Sequence, residues 1–345
     1  MKGHSPQTKT PIFWKVYSKN DANIYSPCDS CESGTRPLDF VVYLCHTMSM
    51  KNTHIEHPED SILNGDLSCL DWFIAGGNLS LKIDGSPAIV WGTDPDTGKF
   101  FVGTKSVFNK KKIKICYTVE DIYALYDVDT HANVIEILAA CLKYLPRTEK
   151  IYQGDFIGFG GTDEYKPNTI IYKFPAVVRQ VIIIAPHTTY EVTNHLRDAV
   201  AFPDTSIWND TDFVKYVKPK VYGQESFADV REMCDYARQM STLVNYVSDK
   251  EAAKIKQQLN ACIREQRDIN PEEFECDHLL IEFWKLVKSI KEDCLFFCHN
   301  DGPAAYINQD RIDAEGYVLT NQFGMFKLVN RESFSYANFT LAKTW

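Results

Sequence analysis

Residues 79–114 read LSLKIDGSPAIVWGTDPDTGKFFVGTKSVFNKKKIK. Leu79, Leu81 and Ile83 alternate with Ser80, Lys82 and Asp84, the period-two pattern of a half-buried strand. Gly85 permits a turn that other residues would resist. Pro87–Trp91 reads as a second strand. Asp94-Pro95-Asp96-Thr97-Gly98 is turn chemistry, and Lys99–Val102 opens a third strand. Lys82 is therefore expected on the polar face of a strand, beside a turn with room for a ligand's phosphates.

The chain has 345 residues, 44% of them hydrophobic and 24% charged, the balance of a water-facing globular protein with a sizeable core. No apolar run reaches membrane-spanning length, and Met1–Lys15 lacks the apolar core of a signal peptide. Eleven irregularly spaced cysteines imply reduced thiols and a cytosolic setting, not a disulfide framework. A net charge of −9 argues mildly against nucleic-acid binding. The distribution argues the other way, because Lys105, Lys110, Lys111, Lys112 and Lys114 cluster after the third strand. That run reads equally as a solvated loop or as a phosphate-binding patch.

Upstream, Cys28-x-x-Cys31 with Cys45-His46 has one metal-like pair, but the adjacent second pair is poor zinc geometry. Leu38–His46 reads as a strand or buried helix. His54–Asp60 holds two histidines and three acids, which fits a structural or pocket-lining role better than a metal cluster. Short helical pieces follow to Ile74. Thr118 caps a short helix bearing Ile122, Leu125 and Tyr126, and a second helix spans about Ala132–Tyr144. Ile151–Gly158, Asn168–Phe174 and Val177–Pro186 read as strands. Thr188–Gly223 reads as loop. Three helical patterns follow at Ser226–Val247, Asp249–Gln266 and Pro271–Lys291. Cys294–His299, Asp313–Leu319 and Gly324–Val329 return to strand-like composition.

The Lys82-Ile83-Asp84-Gly85 sequence resembles the nucleotide-attachment motif of the covalent nucleotidyltransferases, which comprise ATP-dependent DNA ligases, RNA ligases and mRNA capping enzymes. With His54–Asp60 ahead of it, the segment looks like ligase-like proteins of tailed phages. The tetrapeptide alone is also an ordinary strand end and turn; the order of its partners is more specific. Gly154-Asp155 resembles the third motif, Glu315-Gly316-Tyr317-Val318 the fourth, and the Lys327 strand the fifth. The resemblance covers roughly Leu79–Val329 and departs from the family at three places. Asp155 stands where ligases usually carry Glu, Lys105 stands about where they carry an arginine, and the last motif has one lysine, not two.

That resemblance implies an α+β fold, a ligase-type adenylyltransferase domain of antiparallel sheets with flanking helices. The domain would span 79–223 and 294–345, with a helical insertion at 224–293 and an N-terminal segment, 1–78, packed on it. It implies ATP as cofactor with Mg²⁺, or Mn²⁺ in its place. Lys82 would be the nucleophile and Lys327 the phosphate-neutralising cation. Asp84, Gly85, Lys105, Asp155 and Glu315 would line the nucleotide site, with Glu315 and Asp155 nearest the metal. Tyr172 or Phe174 would stack on the adenine.

The expected activity is an ATP-dependent polynucleotide ligase acting through lysyl-AMP and sealing a 5′-phosphate to a 3′-hydroxyl. Only sixteen residues follow Val329, too few for the OB domain of DNA ligases, which favours RNA over DNA as the partner. A DNA ligase, an adenylyltransferase acting on another acceptor, or a non-catalytic nucleotide- or nucleic-acid-binding protein are the alternatives. The expected location is a cytoplasm, that of a phage-infected cell in the phage reading, with no membrane partner; oligomeric state is left open.

Overall fold

The computed structural model describes residues 55–223, 230–307 and 309–332, all within one compact unit, Tyr43–Trp345. The Cys28–Cys31 pair, Cys45-His46 and the Leu38–His46 element lie outside the described residues. The fold is α+β, and its sheets are antiparallel except for one pair of strands.

Two short helices come first, α1 (Pro58–Ser61) and α2 (Ser68–Ala75), then strands β1 (Asn78–Leu81), β2 (Ala88–Thr93) and β3 (Phe100–Gly103). Helices α3 (Val119–Leu125) and α4 (Val128–Tyr144) follow. Thr118 starts α3 through a reciprocal capping box with Asp121, and Asp127 caps α4. The chain then runs through β4 (Ile151–Phe159), β5 (Glu164–Tyr165), β6 (Ile171–Lys173), β7 (Ile182–Glu191), β8 (Val200–Pro203), β9 (Val214–Tyr216) and β10 (Val221–Tyr222). Helices α5 (Arg231–Ser241), α6 (Asp249–Arg264) and α7 (His278–Phe296) form the helical region. Strands β11 (His299–Asn300), β12 (Ala304–Ile307), β13 (Asp310–Ile312), β14 (Tyr317–Asn321) and β15 (Gly324–Leu328) complete it.

The larger sheet has the order β3-β2-β4-β7-β8, with β9 added parallel to β7. Its outer face packs on α3 and α4 through Trp91, Ile122, Leu138 and Ile184. A second sheet, β1-β14-β15, joins residues more than two hundred positions apart, Leu79 opposite Leu319 and Leu81 opposite Tyr317. A third, β13-β12-β6-β5, closes over Ile83, Ile157 and Ala314.

Two readings change here. Thr188–Gly223 is not simply loop, since β7 continues to Glu191 and β8 to β10 follow. The polar run His187-Thr188-Thr189 hid the strand because one of its faces looks into a cavity, where polar side chains cost little. Cys294–Phe296 is the last turn of α7, not a strand.

The helical region is not free-standing. Trp72 and Phe73 of α2, Cys234 of α5, Leu259 of α6 and Trp284 of α7 share one core with Tyr317, Leu319, Phe326 and Leu328 of the second sheet. Trp72 Nε1 donates to Leu319 O at 3.1 Å, and Asn321 Nδ2 donates to Gly76 O at 2.7 Å. Beneath this core lies a buried ionic cluster. Lys291 Nζ meets Glu59 Oε1 at 2.6 Å, and Arg331 reaches Glu59 Oε1 at 3.0 Å and Asp60 Oδ1 at 2.8 Å. Trp284 Nε1 also donates to Asp60 Oδ1 at 3.0 Å. Burial alone would raise the Glu59 carboxyl, but Lys291 and Arg331 outweigh it and hold the group well below its usual range. Glu59 and Asp60 are thus structural, one of the two roles the sequence favoured, whereas Glu56 is exposed and pairs with Lys256 at 2.9 Å.

Lys291 is fully buried, so truncating one member of the cluster leaves charge stranded in the core. Lys291→Met is expected to lower unfolding stability by about 3 kcal/mol. In urea titration the midpoint should fall with no change in slope.

Candidate functional site

The loop from Lys82 to Gly85 crosses from the second sheet to the larger one. Lys82 leaves the end of β1, where its N–H donates to Gly316 O at 2.8 Å and its carbonyl accepts from Glu315 N at 3.2 Å. Glu315 is thereby placed opposite Lys82, and the Lys82 ammonium donates to Glu315 Oε2. Gly85 is needed for closeness, not for an unusual turn. A Cβ there would stand 2.5 Å from Phe156 O on β4. Next to it, Ser86 N donates to the same carbonyl at 2.9 Å and sews the loop to the larger sheet.

A cavity of about 410 Å³ opens between the two sheets, within the range of roughly 300–1,000 Å³ usual for small-molecule sites. Strand alternation selects its lining. Val318 and Thr320 of β14 and Met325 and Lys327 of β15 face the cavity, whereas Leu319, Phe326 and Leu328 face the helical core. From the larger sheet come Gln153 and Asp155 of β4, then His187, Thr188 and Tyr190 of β7. Lys82, Asp84, Gly85 and Lys105 complete the charged end.

Of the residues singled out from sequence, Lys82, Asp84, Gly85, Lys105, Asp155 and Lys327 line this one cavity, and Glu315 reaches it through Lys82. Tyr172 and Phe174 do not. Both are buried in the third core, with Tyr172 1% exposed and Phe174 packed edge-on to Tyr165. The stacking role is therefore corrected. Tyr172 instead works from behind, its hydroxyl accepting from Asp84 N at 2.9 Å. Asn168, unmarked in the sequence reading, donates its side-chain amide to Asp84 Oδ2.

Three carboxylates, Asp84, Asp155 and Glu315, bear on Lys82. Burial would lower the lysine's pKa, but Glu315 first and Asp84 next outweigh burial and raise it. Beside Glu315 and Asp84, Lys82 is thus held as an ammonium. Lys327 moves the opposite way. Burial lowers its pKa, and the positive charge of Lys82 lowers it further. Asp84 is raised to about 6 by burial and then by repulsion from Glu315.

The wall of His187, Thr188, Tyr190 and β8 was missed in the sequence. The signal present was the β-branched pair Thr188-Thr189 following a long apolar strand. Gln153 is 3% exposed and accepts from Tyr190 OH at 2.6 Å through Oε1. Its amide nitrogen is therefore turned to His187 Nε2, 3.4 Å away. His187 Nε2 also lies 3.6 Å from Asp155 Oδ1.

No group of three or more His, Cys, Asp or Glu side chains arranged to hold a metal ion is found among the described residues. The donor chemistry does fit Mg²⁺, which takes one or two carboxylates and completes its shell with water and substrate phosphates. Asp84 is raised first by burial and then by the nearby Glu315 and Asp155, and a cation bound among these carboxylates would relieve that repulsion.

Residues 52–280 and 277–343 match the family of unknown function DUF6267. The chain belongs to this family. No curated protein and no solved structure matches it. No helix among the described residues is long and apolar enough to cross a membrane.

The Asp84 shift has a thermodynamic consequence. A carboxyl raised to about 6 in the folded state, against its ordinary value of 3.8, binds its proton more tightly folded than unfolded. The stabilisation this gives is complete below the unfolded value and is lost as pH rises through about 6. Asp84→Asn keeps an oxygen for Asn168 and removes the charge. At pH 8 it is expected to be about 1–2 kcal/mol more stable than wild type, with the gap closing toward pH 4. Thermal or denaturant unfolding across that range checks it.

Proposed function

We propose that this protein is an ATP-dependent polynucleotide ligase that works through a lysyl-AMP intermediate, with RNA as its acceptor ahead of DNA. The observation that carries this reading is convergence. Lys82, Asp84, Lys105, Asp155 and Lys327 come from four separate stretches of chain and line one cavity, with Glu315 ion-paired to Lys82 at its edge. The sequence resemblance sets motifs in that order at Lys82, Asp155, Glu315 and Lys327.

In this reading the free amine of Lys82 attacks the α-phosphorus of ATP. An N–P bond forms, the bond to the bridging oxygen breaks, and pyrophosphate leaves. Glu315, hydrogen-bonded to Nζ, holds the lysine as an ammonium, and the proton passes to solvent once that carboxylate is drawn to the phosphates' cation. Lys327 supports the charge that develops on the phosphates, and its lowered pKa reflects a partly desolvated position suited to that work. Lys105 at the rim offers a second cation, less directional than an arginine. Mg²⁺, held by Glu315 or Asp155, would supply Lewis acidity at the phosphates. The AMP then passes to a 5′-phosphate, and a 3′-hydroxyl displaces it to seal the strand.

The ion pair gives the scheme a built-in order. Lys82 stays charged while Glu315 is its neighbour, so the nucleophile is released only when the phosphates and their cation compete for that carboxylate.

Incubation with α-labelled ATP and Mg²⁺, followed by denaturing electrophoresis, tests the covalent step. Wild type is expected to carry label, and Lys82→Ala none. Lys327→Ala should reduce labelling by about 10²-fold or more, the scale for removing one preorganised charge from a reacting centre. Absence of label on nucleotide-free wild-type protein would leave a non-catalytic nucleotide-binding protein as the better account.

A further inference from the structure

Charge is segregated along this chain. Between Asp96 and Glu120 there are six lysines (Lys99, Lys105, Lys110, Lys111, Lys112 and Lys114) and no acid, in a protein of net charge −9. None of the six forms an ion pair with another described residue, whereas Lys218, Arg267 and Lys288 pair with Asp204, Glu265 and Glu292. Lysines left without acids on an acidic protein attract an external polyanion.

The loop's geometry directs that attraction toward the cavity. Its start, Lys105, is part of the cavity lining. Phe108 packs its ring 4.5 Å from Tyr190, another lining residue, which fixes the base of the loop at the cavity rim. The loop then closes on itself. Lys114 N donates to Ser106 O at 3.4 Å, Asn109 Nδ2 donates to Lys112 O at 3.3 Å, and Lys114 sits 4.1 Å over the Tyr126 ring. Lys110, Lys111 and Lys112 are left at the tip, all exposed.

We infer that the Lys110–Lys112 tip is a docking surface for the phosphodiester backbone of a nucleic-acid strand whose end enters the cavity beside Lys105. Resting on the ligase reading, this adds where the acceptor lies and what holds it. Three lysines in a row on a closed loop neutralise successive phosphates without reading bases, so binding by the tip is independent of sequence and strongly dependent on salt.

The test is fluorescence anisotropy with a 5′-phosphorylated single-stranded RNA of about twenty nucleotides, titrated between about 50 and 200 mM salt. The proteins compared are wild type and the triple variant Lys110→Gln/Lys111→Gln/Lys112→Gln. Wild type is expected to bind, and the variant to bind at least tenfold more weakly at the low-salt end. The variant's slope of log affinity against log salt should be shallower by about 2, the share of three single-strand phosphate contacts. Equal affinity and equal slope for the two proteins, or no RNA binding by wild type, would overturn the inference. The covalent label on the same preparations separates it from the ligase reading. Labelled wild type with an unaffected triple variant removes the docking surface and keeps the ligase. Unlabelled wild type whose RNA binding is lost in the variant keeps the surface and removes the ligase.

Discussion

The pairing of β1 with β14 is the constraint on which the rest of the structure depends. It joins Asn78–Leu81 to Tyr317–Thr320 and closes a chain loop of more than two hundred residues. Loop-closure entropy grows only with the logarithm of that length, so a long excursion is tolerated once both sides of the sheet are buried. Both sides are. One face of β14 and β15 sits on the helical core and the other forms a wall of the cavity. The same pairing sets the site, because the backbone bonds between Lys82 and residues 315 and 316 continue the ladder by one step. The ammonium and carboxylate meet because their backbones are already hydrogen-bonded.

That placement explains why the cavity holds opposed charges without collapsing into mutual neutralisation. Lys82 and Glu315 are 23% and 17% exposed, wet enough to exchange partners and dry enough for their attraction to matter. Asp84 is secured from outside the cavity, by the Tyr172 hydroxyl at its amide and by Asn168 at its carboxylate. Burial, and after it the nearby Glu315, raise its pKa. Lys327 faces the mirror situation, a buried cation near another cation. Such paired disfavour of like charges is what a polyphosphate with its counter-cation would relieve.

Sequence patterning was informative where side chains alternate with strand period. The alternation from Leu79 placed the start of β1 to within a residue but ran on to Asp84, whereas the strand ends at Leu81 and Lys82 lies in the loop beyond it; Thr118 with Asp121 marked the start of α3. Gly324–Val329 likewise read as a strand carrying Lys327, and the strand spans Gly324–Leu328. Legibility failed where polarity came from facing a cavity. The His187–Glu191 half of β7 looked like loop for that reason, and β8 was lost with it. It failed again at Tyr172 and Phe174, where a three-residue strand gives too few positions to tell inward from outward. Gly85 was marked for the wrong cause, since its demand is the approach of the Phe156 carbonyl, a contact that local sequence does not encode.

The helical region is best understood through β15. Phe326 and Leu328 belong to the helical core, and Lys327 between them points into the cavity, so the position of the lysine is set from behind. Three residues further on from Leu328, Arg331 enters the ionic cluster with Glu59, Asp60 and, through Glu59, Lys291 of α7. Lys327 N also donates to Glu56 O at 3.0 Å, which ties the same segment to residues just ahead of α1. The strand that carries the cation is thus clamped along one face by apolar packing and beyond its end by buried charge. A buried ionic cluster is a weak source of stability compared with well-packed apolar side chains, but its geometry is intolerant of shifts. Placed one turn of chain beyond Lys327, that intolerance fixes the register of β15 against β14. The helices are therefore part of the site's framework, because they hold the strand that must present Lys327 opposite Lys82.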